Sequence, residues 1–105
     1  LGKEMFKMNL EQIRTRIDQL DREIARLLTE RMEITNEVAA YKKANNLPIY
    51  HPEREQQVIE KVCALTEEIY RPALQQIYQC IMDESKKNQQ RFFEAQEINN
   101  SSEEQ

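Results

Sequence analysis

The chain reads as all-α: a protomer of three helices with a very long first helix. Two observations predict this. One Gly and three Pro in 105 residues are too few breakers for a turn-rich β fold. Apolar residues also recur at alternating steps of three and four from residue 10 to 43: Leu10, Ile13, Ile17, Leu20, Ile24, Leu27, Ile34, Val38 and Tyr41. A seam with this 3.5-residue mean period packs against other helices with a left-handed twist. The hydrophobic fraction of 39%, the 32% of charged residues and the mean hydropathy of -0.86 suit amphipathic helices sharing a modest core, one that a second chain can complete.

Residues 1–8 carry no periodic pattern and read as a disordered or expression-derived start. Asn9 and Gln12 have the spacing of a capping box directly before the first seam residue, so the first helix begins there. Running to about Lys43, it rises about 50 Å, against a radius of gyration of roughly 13 Å for a compact domain of this size. Such a seam needs a partner chain. A simple two-stranded coiled coil would account for most of it, but two further amphipathic segments follow.

Asn45, Asn46, Leu47 and Pro48 end the first helix, because asparagine tolerates left-handed backbone and the residue before proline disfavours helix. The second starts at His51-Pro52, with proline at the first helical position. Its stripe is Glu55, Val58 or Ile59, Val62, and Leu65 or Thr66, opening on a charge. Residues 66–71 lack strong period. Pro72 suits the first turn of a third helix, which extends to about Phe93 with Leu74, Ile77, Tyr78, Ile81, Ser85, Asn88 or Gln89, and Phe92 on one face. The helical domain therefore covers 9–93. Residues 94–105 are polar and acidic, and read as a disordered tail or a linker to another domain.

Composition also excludes functions. A net charge of -4 and a pI near 5.1 argue against nucleic acid as the main partner, since phosphate neutralisation needs a basic face. No apolar run approaches a bilayer span and no signal peptide pattern opens the chain, so a soluble, cytoplasmic protein is expected. Cys63 and Cys80 sit among apolar neighbours at helical spacing, where small buried hydrophobes are expected rather than a disulfide. His51 is the only histidine and Gly2 the only glycine, leaving neither a histidine metal cluster nor a glycine-rich phosphate loop.

Polar groups interrupt the apolar stripes, and they carry the functional signal. Arg31 occupies the seam between Leu27 and Ile34. Arg31, Thr35, Val38 and Lys42 are spaced four, three and four, so Arg31 and Lys42 project from one side, about 16 Å of rise apart. Arg14 borders the same seam about 42 Å of rise from Lys42. One chain cannot bring Arg14 and Lys42 to one ligand, whereas two antiparallel copies can. Burying a lone cation costs several kcal/mol, so these residues imply buried carboxylates or a bound anion. Glu55 is the inward acid, and Ser85 and Gln89, four apart, are neighbours on the third helix. Singly, each has a plainer explanation: a snorkelling arginine, a first-turn glutamate, a solvated Arg54, a weak cap at His51. Together they suit a small dianion, with guanidinium forks for carboxylates and neutral donors for ether or hydroxyl oxygens. No base is placed to activate Ser85 or either cysteine. The chemistry left is positioning and electrostatic stabilisation of a polarised transition state.

The stretch LEQIRTRIDQLDREIARLLTER, the continuation to YKK, then LPIYHPEREQQVIEKV and IMDESKKNQQ resemble the ordered blocks of the all-helical chorismate mutases over about residues 9–92. The resemblance implies an intertwined six-helix homodimer with two sites, each built from both chains. It implies the rearrangement of chorismate to prephenate, on the route to phenylalanine and tyrosine, with no cofactor and no metal. By the same resemblance Arg14 comes from the partner protomer, Arg31 grips a substrate carboxylate, and Lys42 reaches a carboxylate and the ether oxygen. Glu55 holds the ring hydroxyl with Arg54 beside it, Ser85 lies near a carboxylate, and Gln89 faces Lys42 across the breaking ether bond. His51 stands where some members carry an aspartate cap; in the family that position offers its backbone N–H to the ring hydroxyl. An isochorismate pyruvate-lyase, a regulatory domain of a multifunctional aromatic-pathway protein, and a plain dimerisation module remain as alternatives.

Overall fold

The computed structural model describes residues 9–104, with side chains described over 9–96; the expected disordered start at 1–8 lies outside them. Three α-helices follow one another: α1 (Leu10–Ala44), α2 (Pro52–Ala64) and α3 (Arg71–Glu104), with a 3-10 turn at Glu68–Tyr70 between the last two. Among the described residues no helix is long and apolar enough to cross a membrane.

Local chemistry sets most of the boundaries. At the start of α1 the Gln12 N–H donates to Asn9 Oδ1 at 2.8 Å and the Asn9 N–H donates to Gln12 Oε1 at 3.0 Å, which closes the expected capping box. At the other end Asn46 adopts φ 56°, the Leu47 N–H donates to Lys42 O at 2.8 Å and the Asn46 N–H donates to Lys43 O at 3.3 Å. These two bonds form a Schellman motif, with asparagine in the left-handed position that glycine usually takes. His51 precedes Pro52 as the N-cap of α2 and makes no side-chain capping bond, as expected of a poor capping residue. The far end of α2 is closed by a side chain: Arg71 Nε donates to the carbonyls of Cys63 and Thr66, both at 3.0 Å.

α3 ends later than the pattern predicts. Instead of stopping near Phe93 and leaving a disordered tail, the backbone stays helical to Glu104. Residues 94–104 contain no Pro or Gly, and Gln90 Nε2 donates to Glu94 Oε1 at 3.3 Å across one turn, so nothing local breaks the helix where its apolar stripe fades.

The chain divides into two compact units after Glu33, and α1 runs through both. In the first, Leu10, Ile13, Ile17, Leu20, Ile24 and Leu27 are all exposed, Leu20 by 61%. Arg26 and Glu30 pair at 3.5 Å on its surface. In the second, α2 packs along α3. Asn88 Nδ2 donates to Asn36 Oδ1 at 3.0 Å, and Lys43 Nζ donates to Phe93 O at 2.8 Å, tying the last turns of α1 to α3. Ala39, Ile59 and Met82 form its buried apolar core.

Two expectations need correction. The inward line of α3 carries Met82 rather than Ile77, which is 53% exposed. Met82 is four residues after Tyr78 and three before Ser85, so a modest rotation of the same stripe buries it. Cys80 is exposed and Cys63 partly so, both as free thiols; apolar neighbours along a helix do not bury a residue whose own direction faces outward.

Candidate active site

Among the described residues of the second unit, two polar side chains are buried, and both were expected at the site. Ser85 and Gln89 are each 7% exposed on the inward face of α3. One turn apart, they meet: Gln89 Nε2 donates to Ser85 Oγ at 3.2 Å. The other half of the amide has no such service, because Gln89 Oε1 is buried without a hydrogen-bond partner. A buried unpaired acceptor costs about 1–3 kcal/mol. A hydroxyl can donate as well as accept. Turning the amide over would let the Ser85 hydroxyl donate to Oε1. With Nε2 engaged by Ser85, the Oε1 half of the amide is left over for a ligand.

Lys42 lies near the end of α1, half-buried, and its Nζ donates to the Ile49 carbonyl at 2.8 Å. That bond fixes the ammonium against the α1–α2 loop while using one of its three donors. Glu55, in the first turn of α2, is mostly buried and pairs through Oε1 with Lys86 Nζ at 3.2 Å. Lys86 directly follows Ser85, so Glu55 is drawn onto the part of α3 that carries the buried pair. Arg54 and His51 are exposed. Arg14 and Arg31 belong to the first unit, where Arg14 is exposed and Arg31 half-buried.

Lys86 is the participant that sequence reasoning passed over. Besides Glu55 it contacts Asp83 Oδ1 at 3.4 Å, and it sits 4.6 Å from the centre of the Tyr50 ring. Burial disfavours its charge, but hydrogen bonding and attraction from Glu55 and then Asp83 outweigh this and hold the ammonium above the usual lysine range. The i,i+3 spacing to Asp83 is visible in the sequence; the long-range pairing with Glu55 is not.

The second unit thus carries a neutral, half-served donor–acceptor pair, a tethered ammonium and a carboxylate held by a lysine. With no base aimed at a nucleophile in the contacts described, such a set acts by orienting a polar ligand and stabilising developing charge.

Comparison with known proteins identifies the family. The family model for chorismate mutase type II matches residues 13–90. The bifunctional chorismate mutase/prephenate dehydratase of Aquifex aeolicus is 43% identical over 61 residues, 58% of this chain and 17% of that protein. The T-protein of Haemophilus influenzae is 44% identical over 50 residues, 48% of this chain and 13% of that protein. The chorismate mutase of Methanocaldococcus jannaschii is 30% identical over 87 residues, covering 81% of this chain and 88% of that protein. The chain therefore spans under a fifth of the first two relatives and most of the third. No solved structure matches it at a significant level. The family match spans Arg14 through Gln89, every position singled out above, and the chain belongs to the chorismate mutase type II family.

Proposed function

We propose that this chain rearranges chorismate to prephenate in the biosynthesis of phenylalanine and tyrosine, in the cytoplasm. The observation that carries this reading is the buried, half-served amide of Gln89 beside Ser85, in a chain whose family is known. A ligand that offers an acceptor takes Nε2, while the Ser85 hydroxyl donates to Oε1. The ether oxygen of chorismate, which gains negative charge as its bond breaks, is such an acceptor.

In the proposed mechanism each residue takes the role that the family resemblance implies. Arg31 and the Arg14 of a second copy clamp the two carboxylates and fold the enolpyruvyl arm over the ring. Lys42 and Gln89 donate to the ether oxygen, an interaction stronger in the transition state than in the ground state. Glu55 accepts from the ring hydroxyl, with Arg54 beside it and the backbone N–H of His51 on the same hydroxyl. The reaction has one substrate and no covalent intermediate.

A homodimer is part of the proposal. The first unit leaves an unbroken row from Leu10 to Leu27 exposed, more than isolated surface apolar residues explain. A second copy laid antiparallel on this seam covers it and carries Arg14 to the pocket of its partner. The short share of the Aquifex and Haemophilus relatives that the chain spans fits a domain joined to, or associating with, another enzyme of the pathway.

The test offers chorismate and isochorismate separately and identifies the products. Prephenate from chorismate is expected, at a rate that stays level between pH 6 and 8, because Gln89 is a neutral donor that does not titrate. Pyruvate from isochorismate as the main product, or a sharp fall in rate within that interval, overturns the assignment.

A further inference from the structure

Glu55 does not stand alone: a lysine from another helix holds it, and nothing above gives that lysine a task. The Lys86 ammonium is bracketed by groups from three parts of the second unit. These are Glu55 Oε1 of α2 at 3.2 Å, Asp83 Oδ1 of α3 at 3.4 Å, and the Tyr50 ring of the α1–α2 loop at 4.6 Å. An exposed ion pair with one partner wanders and contributes little. Here Asp83, one turn back on the same helix, and the face of Tyr50 fix the ammonium from two further directions. Its contact with Glu55 then fixes the carboxylate in turn. The Glu55 side chain is 16% exposed and that of Lys86 31%, so the acid lies deeper and the lysine covers it from outside.

We propose that Lys86 is a positioning residue for Glu55: it engages Oε1, fixes the orientation of the carboxylate and directs Oε2 toward a hydroxyl-bearing ligand. This rests on the proposed reaction, in which the ring hydroxyl of the substrate is the donor. Lys86 does not touch the reacting atoms. It gives the site a preference for a substrate carrying that hydroxyl, because a carboxylate can only accept. A carboxylate free to rotate would discriminate less.

The experiment measures KM and kcat for chorismate in the wild type, Lys86→Met, Lys86→Arg, Glu55→Gln and the Lys86→Met/Glu55→Gln double variant. Lys86→Met is expected to raise KM about tenfold, the size of a lost charge-assisted hydrogen bond, with kcat changed less than about twofold, since the hydroxyl is held equally in ground and transition states. Lys86→Arg, which keeps the charge, restores most of the affinity. On the Glu55→Gln background the added Lys86→Met changes KM by less than about twofold, because the coupled effect has already been removed. For a chorismate analogue without the ring hydroxyl, Lys86→Met and wild type are expected to share one KM. The inference is overturned by a wild-type KM in Lys86→Met, by the same increment with and without Glu55, or by an equal loss on the hydroxyl-free analogue, the mark of a general structural defect. An inactive wild type overturns the proposed reaction itself, and this inference with it; normal wild-type turnover with an unresponsive Lys86→Met overturns only the role of Lys86.

Discussion

Replacing Lys42 by alanine is expected to lower kcat for chorismate by about 10²–10³-fold, the loss that follows removal of one preorganised donor to a developing oxyanion. The structure explains why the effect should fall on kcat. Lys42 Nζ is already tethered to Ile49 O, so the ammonium reaches the transition state without searching for its orientation. In the proposed mechanism its attraction to the ether oxygen grows as that oxygen gains charge, and an interaction of this kind lowers kcat and kcat/KM together when lost. Lys42→Met, which keeps the apolar stem, separates the lost charge from the lost packing; steady-state kinetics should find it as impaired as Lys42→Ala. A loss confined to KM in both variants would show Lys42 to be a ground-state binder only.

Gln89→Glu is expected to lower activity by a similar factor at pH 7–8 and, unlike the level wild-type profile, to recover as pH falls. An ionised carboxylate accepts hydrogen bonds and cannot donate one to the ether oxygen. Position 89 is buried, and burial disfavours the charged form of an introduced carboxyl, so it protonates at a higher pH than a solvated glutamate. Below that pH the neutral acid donates in place of the amide, and the rate climbs toward the acid side. A pH–rate profile of kcat between pH 5 and 8 tests this. A variant that keeps wild-type activity and a flat profile would remove Gln89 from the chemistry.

Local features of the fold were open to reading because local rules decide them. The Asn9–Gln12 box, the asparagine stop at 45–46 and Pro52 at the start of α2 depend on a few neighbouring residues each, and backbone bonds follow directly. Ser85 and Gln89 were legible by spacing alone, since i,i+4 residues meet on any helix. Quantities set by tertiary packing were not. The rotation that buries Met82 and exposes Ile77 depends on how α3 meets α2. Cys80 shows the same limit, with apolar neighbours in sequence and an exposed side chain. The pairing of Glu55 with Lys86 joins residues on different helices with no periodic relation. The end of α3 was misplaced for another reason: fading amphipathicity removes the packing signal before helix propensity is exhausted.

Arg14 tests the central claim most directly, because its exposed position on its own chain acquires a role only if a second copy uses it. Arg14→Ala and Lys42→Ala proteins should each be nearly inactive alone. If every site takes Lys42 from one chain and Arg14 from the other, a mixed dimer carries one site with both residues intact and one with both missing. Mixing equal amounts and allowing subunits to exchange makes about half the dimers mixed, so about a quarter of wild-type turnover should return in a two-fold symmetric assembly. Recovery at that level is the predicted result. No recovery, with exchange demonstrated by mass-labelled chains, would contradict the shared site.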